Sequence, residues 1–194
     1  MSTNQHNSVR IISGTKRGSK IHFKTAQGLR PSGDRIREML FAWLQTSVAG
    51  CNCLDMFAGS GALGFEAASR GAANVVMLEK NRSVVAMLQQ NTERLKFENV
   101  TVVAADAMQS SAYQRAPMKG LQFDLAFIDP PFADGLHQSA IDLLDQQQML
   151  CAGGYVYLEV AKQSVDLETP ASWQLHREKI AGDVRVALYR VIAA

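Results

Sequence analysis

Long hydrophobic runs are missing from this sequence: none approaches the roughly 18 apolar residues needed to cross a bilayer. That excludes a membrane-spanning helix. The opening MSTNQHNSVR is polar and lacks the apolar segment of a signal peptide, so a cytoplasmic protein is expected. Cysteine is scarce and odd in number (Cys51, Cys53, Cys151), with no second pair at zinc-ligand spacing. The three read as buried thiols in a reducing compartment. The four histidines (His6, His22, His137, His176) are scattered, no two at ligand spacing, and no metal site is expected. Repeats and low-complexity segments are absent too. What is present is 194 residues, 47% hydrophobic and 20% charged, enough for one domain with a real core and too short for two comfortable ones.

The net charge of +2 conceals an asymmetry. Residues 1–40 hold eight Lys and Arg against two acids, a net +6, and the remainder holds twelve against sixteen, a net −4. A basic arm on a mildly acidic body suits a polyanionic partner approached from one end; a solvated, lysine-guarded edge hairpin is an equal reading of charge alone.

Residues 9–13 (VRIIS) and 20–24 (KIHFK) form a short hairpin pattern whose turn carries Lys16 and Arg17. Ile36, Met39, Leu40, Trp43 and Leu44 then mark the apolar stripe of an amphipathic helix, with Ser32 or Asp34 as its cap. From Asn52 strands and helices alternate. Strands are expected at 53–57, 74–79, 100–105 and 123–128, with helices at 62–70, 82–96 and 135–149. Such alternation predicts an α/β fold, a parallel sheet covered by helices on both faces. The end differs: a strand at 153–160 precedes two runs, 173–180 and 184–192, joined by a tight AGD turn. That pair reads as an antiparallel hairpin closing one sheet edge.

The sharpest motif is Asp55-Met-Phe57-Ala58-Gly59-Ser60-Gly61-Ala-Leu-Gly64, between the first alternating strand and its helix. Glycines here let the backbone turn tightly and approach a ligand, while the helix N-terminus offers unpaired N–H groups. They equally permit close packing. Gly59-x-Gly61-x-x-Gly64, with Glu79 twenty residues after Gly59, also fits the dinucleotide fingerprint. Asp55 weighs against that reading, because an acid suits a cofactor bearing an ammonium and a sulfonium better than a pyrophosphate. An acid also ends each of the next two strands: Glu79 is placed to take ribose hydroxyls and Asp106 to accept from an adenine amino group.

Asp129-Pro130-Pro131-Phe132 follows the fourth strand at the carboxyl edge, where open α/β sheets bind ligands. Two prolines remove two N–H donors and leave a rigid, acceptor-only surface. An exocyclic amino group presents two N–H donors to such a surface. Asp129 and the Pro130 carbonyl are suited to hold that nitrogen towards a methyl donor, and Phe132 to stack on a flipped base. A strand-ending turn with a packed Phe is the plainer alternative.

With these residues in view, the chain resembles the class I methyltransferases, and specifically the bacterial 16S ribosomal RNA guanine-N2 methyltransferases of the RsmD type. The resemblance spans Arg10-Ile-Ile-Ser-Gly, Arg17-Gly, Arg30-Pro-Ser-Gly-Asp34-Arg-Ile-Arg-Glu38, the glycine loop, Glu79-Lys80-Asn81, Asp106 and Asp129–Phe132. Ser32 departs mildly, where members often carry threonine. The resemblance implies a Rossmann-like seven-stranded sheet with the last strand inserted antiparallel. Residues 1–30 would form a basic hairpin arm and 31–194 the methyltransferase domain. It further implies S-adenosylmethionine as donor and N2 of one guanine in small-subunit rRNA as acceptor. The basic arm is small for tight binding to free RNA, so an assembling or assembled small subunit is the expected partner, and a monomer is the default expectation. The cofactor set it implies is Arg35, Asp55, Phe57, Ala58, Gly59, Ser60, Gly61, Glu79, Lys80, Asp106, Ala107 and Asp129, and the RNA set is Arg10, Lys16, Arg17, Lys20 and Arg30. Arg35 and Arg37 read equally as ordinary surface charges, Arg37 at least as readily.

Four competing functions share some of these features. A DNA adenine-N6 methyltransferase shares a DPP-aromatic motif but usually has a separate target-recognition region, for which 194 residues leave little room. A protein-glutamine methyltransferase typically begins it with Asn. An NAD-dependent oxidoreductase needs a catalytic side chain, for which only His137 is near a strand's carboxyl edge. A non-catalytic RNA-binding module would not need the cofactor motifs.

Overall fold

Strands buried on both faces carry near-continuous apolar runs with polar residues towards their ends, and three segments follow that pattern: Asn52–Asp55 (β3), Asn74–Glu79 (β4) and Phe123–Ile128 (β6). A computed structural model of the protein, describing residues 7–23, 33–114 and 117–192, places them at the centre of a seven-stranded sheet. The flanking strands are Val100–Ala104 (β5), Leu150–Ala161 (β7), Trp173–Ala181 (β8) and Val184–Val191 (β9), in the order β5-β4-β3-β6-β7-β9-β8. Pairings from β5 to β7 are parallel, and β9 runs antiparallel between β7 and β8. The chain winds from β3 out to β5 and then crosses to β6 on the other side of β3. That reversal opens a crevice at the carboxyl ends of β3 and β6.

Alternation along each strand divides the core in two. Cys53, Val75, Met77, Leu125 and Phe127 face one layer with helices Asp34–Trp43 (α1), Ala62–Ser69 (α2) and Arg82–Arg94 (α3). Leu54, Val76, Leu78, Ala126 and Ile128 face the other, with the single turn Ser110–Tyr113 (α4) and helix His137–Gln146 (α5). The last helix is shorter than the expected 135–149. Gln148 adopts a left-handed φ of 49° that ends it, and Phe132–Asp134 forms a separate 3-10 turn before it. Cys51 and Cys53 are buried, whereas Cys151 is only half-buried, contrary to the reading of all three as buried. Among the described residues, no helix is long and apolar enough to cross a membrane.

The N-terminal hairpin forms a separate two-stranded sheet, Asn7–Arg10 (β1) with Lys20–Phe23 (β2). It packs into the α1–α3 layer through Val9, Ile11, Ile21 and Phe23. Ile11 and Ile21 are fully buried, worth about 1.5–3 kcal/mol each in transfer free energy. The first strand stops at Arg10 rather than Ser13, because the Ile12 and Ser13 amides donate to the Glu66 carboxylate of α2 at 2.7 and 3.0 Å. Beyond them the turn is fastened to the end of α2. Thr15 N–H donates to the Ser69 carbonyl, Lys16 N–H to Ser69 Oγ, and Ser69 Oγ–H to the Ser13 carbonyl. Gly14, at φ +83°, has no room for a side chain: a Cβ would lie 1.8 Å from the Ser69 carbonyl oxygen.

The same carboxylate corrects the surface reading of Arg37. That side chain is fully buried, its Nη1 3.4 Å from Glu66 Oε2 and its Nη2 donating to Asp34 Oδ1 (2.7 Å) and the Arg10 carbonyl (3.0 Å). Arg37 therefore joins the hairpin to α1 and α2. A buried charge needs such partners, and α1 supplies it at a position that periodicity alone leaves polar.

Candidate active site

The carboxyl edge of the sheet opens into a cleft of about 880 Å³. Asp55 ends β3 and is 2% exposed, its Oδ2 accepting the Gly64 N–H at 3.1 Å. It thereby caps the first turn of α2 while still lining the cleft. Burial is the main cause that raises its carboxyl to about 7. The Gly64 and Phe57 amides pull against that shift and the Glu79 charge adds to it. Gly64 has no space for a Cβ, which would meet Met77 Cε at 2.5 Å; Gly61, left-handed at φ +78°, would push one into the Phe65 ring at 2.6 Å. These two glycines serve packing, and Gly61 does not line the cleft.

Glu79 ends β4 and reaches back to the loop. Its Oε2 accepts the Gly59 N–H (3.1 Å) and its Oε1 the Asn81 N–H (2.7 Å). Asn81 in turn caps α3 by accepting from the Ser83 and Val84 amides. Asp106, two residues past β5, accepts the Met108 N–H at 3.0 Å and stands beside buried Ala107. Phe57, Ala58, Gly59, Ser60, Glu79, Lys80, Asp106 and Ala107 all line the cleft together with Asp55. Arg35 does not: it is exposed and outside the cleft wall, whereas its neighbours Gly33 and Ile36 are part of it.

Across the cleft, Asp129–Phe132 leaves β6. Pro130 is buried, and the Pro131 carbonyl accepts the Asp134 N–H at 3.0 Å to start the 3-10 turn. Phe132 is 43% exposed at the cleft, with its ring centroid 6.1 Å from that of His137. Lys80 and Asp134 face each other over the cleft mouth at 4.0 Å.

Several cleft residues escape sequence reasoning. Glu159 on β7 lines the cleft, and its signal was a lone acid in the apolar run YVYLEV. The turn Ala181–Val184 between β8 and β9 forms another wall. His137 lies behind the site: it is buried, burial lowers its pKa, and its Nε2 donates to the Glu159 carbonyl at 2.8 Å. That is the role of a support, and the one histidine named for a nicotinamide chemistry therefore stands behind the cleft wall. Among the described residues, no cluster of His, Cys, Asp and Glu has the makings of a metal site.

Of the expected RNA contacts, Arg10, Arg17 and Lys20 are exposed on the hairpin. Lys16 is half-buried with its Nζ 5.8 Å from the centroid of the Phe97 ring. Arg30 lies outside the described residues. The hairpin ends close to the cleft, since His22 and Phe23 share a small crevice with Gly59, Ser60 and Val84. His22 is held there by a two-way pairing with Asn91, N–H to Oδ1 at 3.1 Å and carbonyl from Nδ2 at 2.7 Å.

Comparison with known proteins agrees with this geometry over nearly the full length. The family described as Conserved hypothetical protein 95 matches residues 9–190. Ribosomal RNA small subunit methyltransferase D of Escherichia coli K12 is 42% identical over 182 residues, covering 94% of this chain and 89% of its own. The protein of the same name from Haemophilus influenzae is 40% identical over 189 residues, covering 96% of both. The solved structure of yhhF from Escherichia coli superposes with a TM-score of 0.85 at 40% identity, covering 97% of this chain and 100% of that one. The seven-stranded sheet with its inserted last strand, the acid-lined cleft and these full-length matches place the chain in the family of the ribosomal RNA small subunit methyltransferase D proteins.

Proposed function

We propose that this protein transfers a methyl group from S-adenosylmethionine to the exocyclic N2 amino group of a guanine in 16S ribosomal RNA. One observation carries the reading: Asp55, Glu79 and Asp106, at or just beyond the ends of three adjacent strands, share a cleft with Asp129-Pro-Pro-Phe132. The names of the relatives support the rRNA substrate.

The donor set fits the cofactor. A buried acid beside the glycine loop suits a cationic amino acid end and disfavours a pyrophosphate. Glu79 uses its two oxygens on the Gly59 and Asn81 amides and retains lone pairs for ribose hydroxyls. Asp106 is suited to accept from the adenine amino group. When bound, S-adenosylmethionine supplies a methyl group already made electrophilic by its sulfonium.

The remaining work is orientation. Asp129, held on the rigid Pro130-Pro131 turn, accepts an N2 hydrogen, and exposed Phe132 stacks on the flipped base. Asp129 receives the proton that N2 sheds as the new nitrogen–carbon bond forms and the carbon–sulfur bond gives its electron pair to sulfur. Arg10, Lys16, Arg17 and Lys20 hold phosphates on a hairpin whose end abuts the glycine loop. Residues 1–30 act as the RNA-gripping arm of the domain at 31–194, in a cytoplasmic monomer that meets the RNA in an assembling subunit.

The test is transfer of a labelled methyl group to small ribosomal subunits from cells lacking this protein, followed by nucleoside analysis. A single N2-methylguanosine is the expected product. Binding of S-adenosylmethionine without any transfer to rRNA would overturn the substrate.

A further inference from the structure

We propose that Glu159 is the residue that selects guanine, accepting the N1–H and one N2–H of the base on its carboxylate beside Asp129. The inference rests on the methyl-transfer reading of the cleft and adds the group that reads the base.

Register and support carry it. Leu158 pairs with Ile128 in the parallel β6–β7 ladder, so Glu159 and Asp129 stand side by side, one residue further along. Glu159 is 6% exposed yet lines the cleft. A carboxylate so nearly removed from water in an apolar strand is costly unless it has partners. Tyr157, itself fully buried, donates its O–H to Glu159 Oε2 at 2.7 Å, and His137 anchors the Glu159 carbonyl. Burial, then the Glu159 and Asp129 carboxylates, push the Tyr157 phenol well above its ordinary range, so it stays a donor. The head of Glu159 is thus held from behind by the Tyr157 hydroxyl.

Guanine presents two adjacent donors on its Watson–Crick edge, N1–H and N2–H. A carboxylate matches both with parallel hydrogen bonds, and the second N2 hydrogen is left for Asp129. Adenine and cytosine each place a ring-nitrogen acceptor next to their amino group, which sets lone pair against lone pair. The same site therefore positions N2 and rejects the other amino-bearing bases.

The test uses small subunits carrying either guanine or 2-aminopurine at the modified position. 2-Aminopurine keeps the N2 amino group and replaces N1–H with an acceptor. The wild-type protein should prefer guanine by about 10- to 100-fold, the range of a good bidentate base contact. Glu159→Gln offers one donor and one acceptor, and should lose guanine activity by a similar factor while gaining on 2-aminopurine. Tyr157→Phe, which keeps the carboxylate and loses its support, should slow transfer and retain the preference. S-adenosylmethionine affinity should be unchanged in Glu159→Gln. Equal loss on both bases, undiminished guanine activity, or weakened cofactor binding in that variant would each overturn the assignment. Failure of the wild-type protein to methylate guanine would instead overturn the reading beneath it.

Discussion

Arg37 and Glu66 face each other with no solvent exposure, Nη1 to Oε2 3.4 Å apart, and the Glu66 carboxylate also receives two hairpin amides and Arg70 Nε. Removing one partner leaves the other charged and buried. Glu66→Ala is expected to destabilise the protein by about 3–5 kcal/mol, read by urea unfolding. A loss below about 1 kcal/mol would mean that the hairpin stays docked through its apolar contacts alone.

The Asp55 carboxyl sits at about 7 in the folded chain, above its ordinary 3.8. Its protonated form is the one the fold favours, so its contribution to stability is complete below about pH 4 and is lost as pH rises through about 7. A cationic ligand favours the ionised form. Cofactor affinity should accordingly rise by up to about tenfold between pH 6 and 8, with proton release on binding. Calorimetry in buffers of different ionisation enthalpy measures both. An Asp55→Asn variant with the same pH dependence would remove this residue from the explanation.

Asp129 is assigned to the acceptor amine and not to the cofactor's far end. Asp129→Ala should bind S-adenosylmethionine nearly as tightly as the unmodified protein and lose about 100-fold or more in kcat. Single-turnover transfer on small subunits is the measurement, and full activity would refute the role.

Lys16 and Arg17 lie on the hairpin turn, away from the acids of the cleft. Reversing both charges should weaken RNA binding and flatten its dependence on salt by about 1–2 in the log–log slope. An unchanged slope would move the phosphate contacts elsewhere.

The central strands were legible because parallel strands buried on both faces keep polar residues to their ends, as in NVVMLE and in FDLAFI, whose one acid Asp124 stands second from the start. The acids at their ends were legible for the complementary reason, each interrupting an apolar run where the sheet meets solvent. Ile12 and Ser13 look like strand residues and are not, because their amides pair with a carboxylate 53 to 54 positions away. Arg37 was unreadable for the same kind of reason: nothing local marks Glu66 and the Arg10 carbonyl as its partners. Glu159 was visible only as an acid in a strand, since its place beside Asp129 comes from the β6–β7 register.

Strand β9 follows β8 in the chain but lies between β8 and β7, bonded to both. During synthesis the open edge of β7 therefore waits for Val184–Val191, and β8 has no partner in the sheet until the same residues arrive. An unpaired edge of this length invites pairing with another chain. The nascent protein is thus most vulnerable to misassembly until Val184–Val191 has been made, and a slow pause before residue 184 should lower the yield of folded protein.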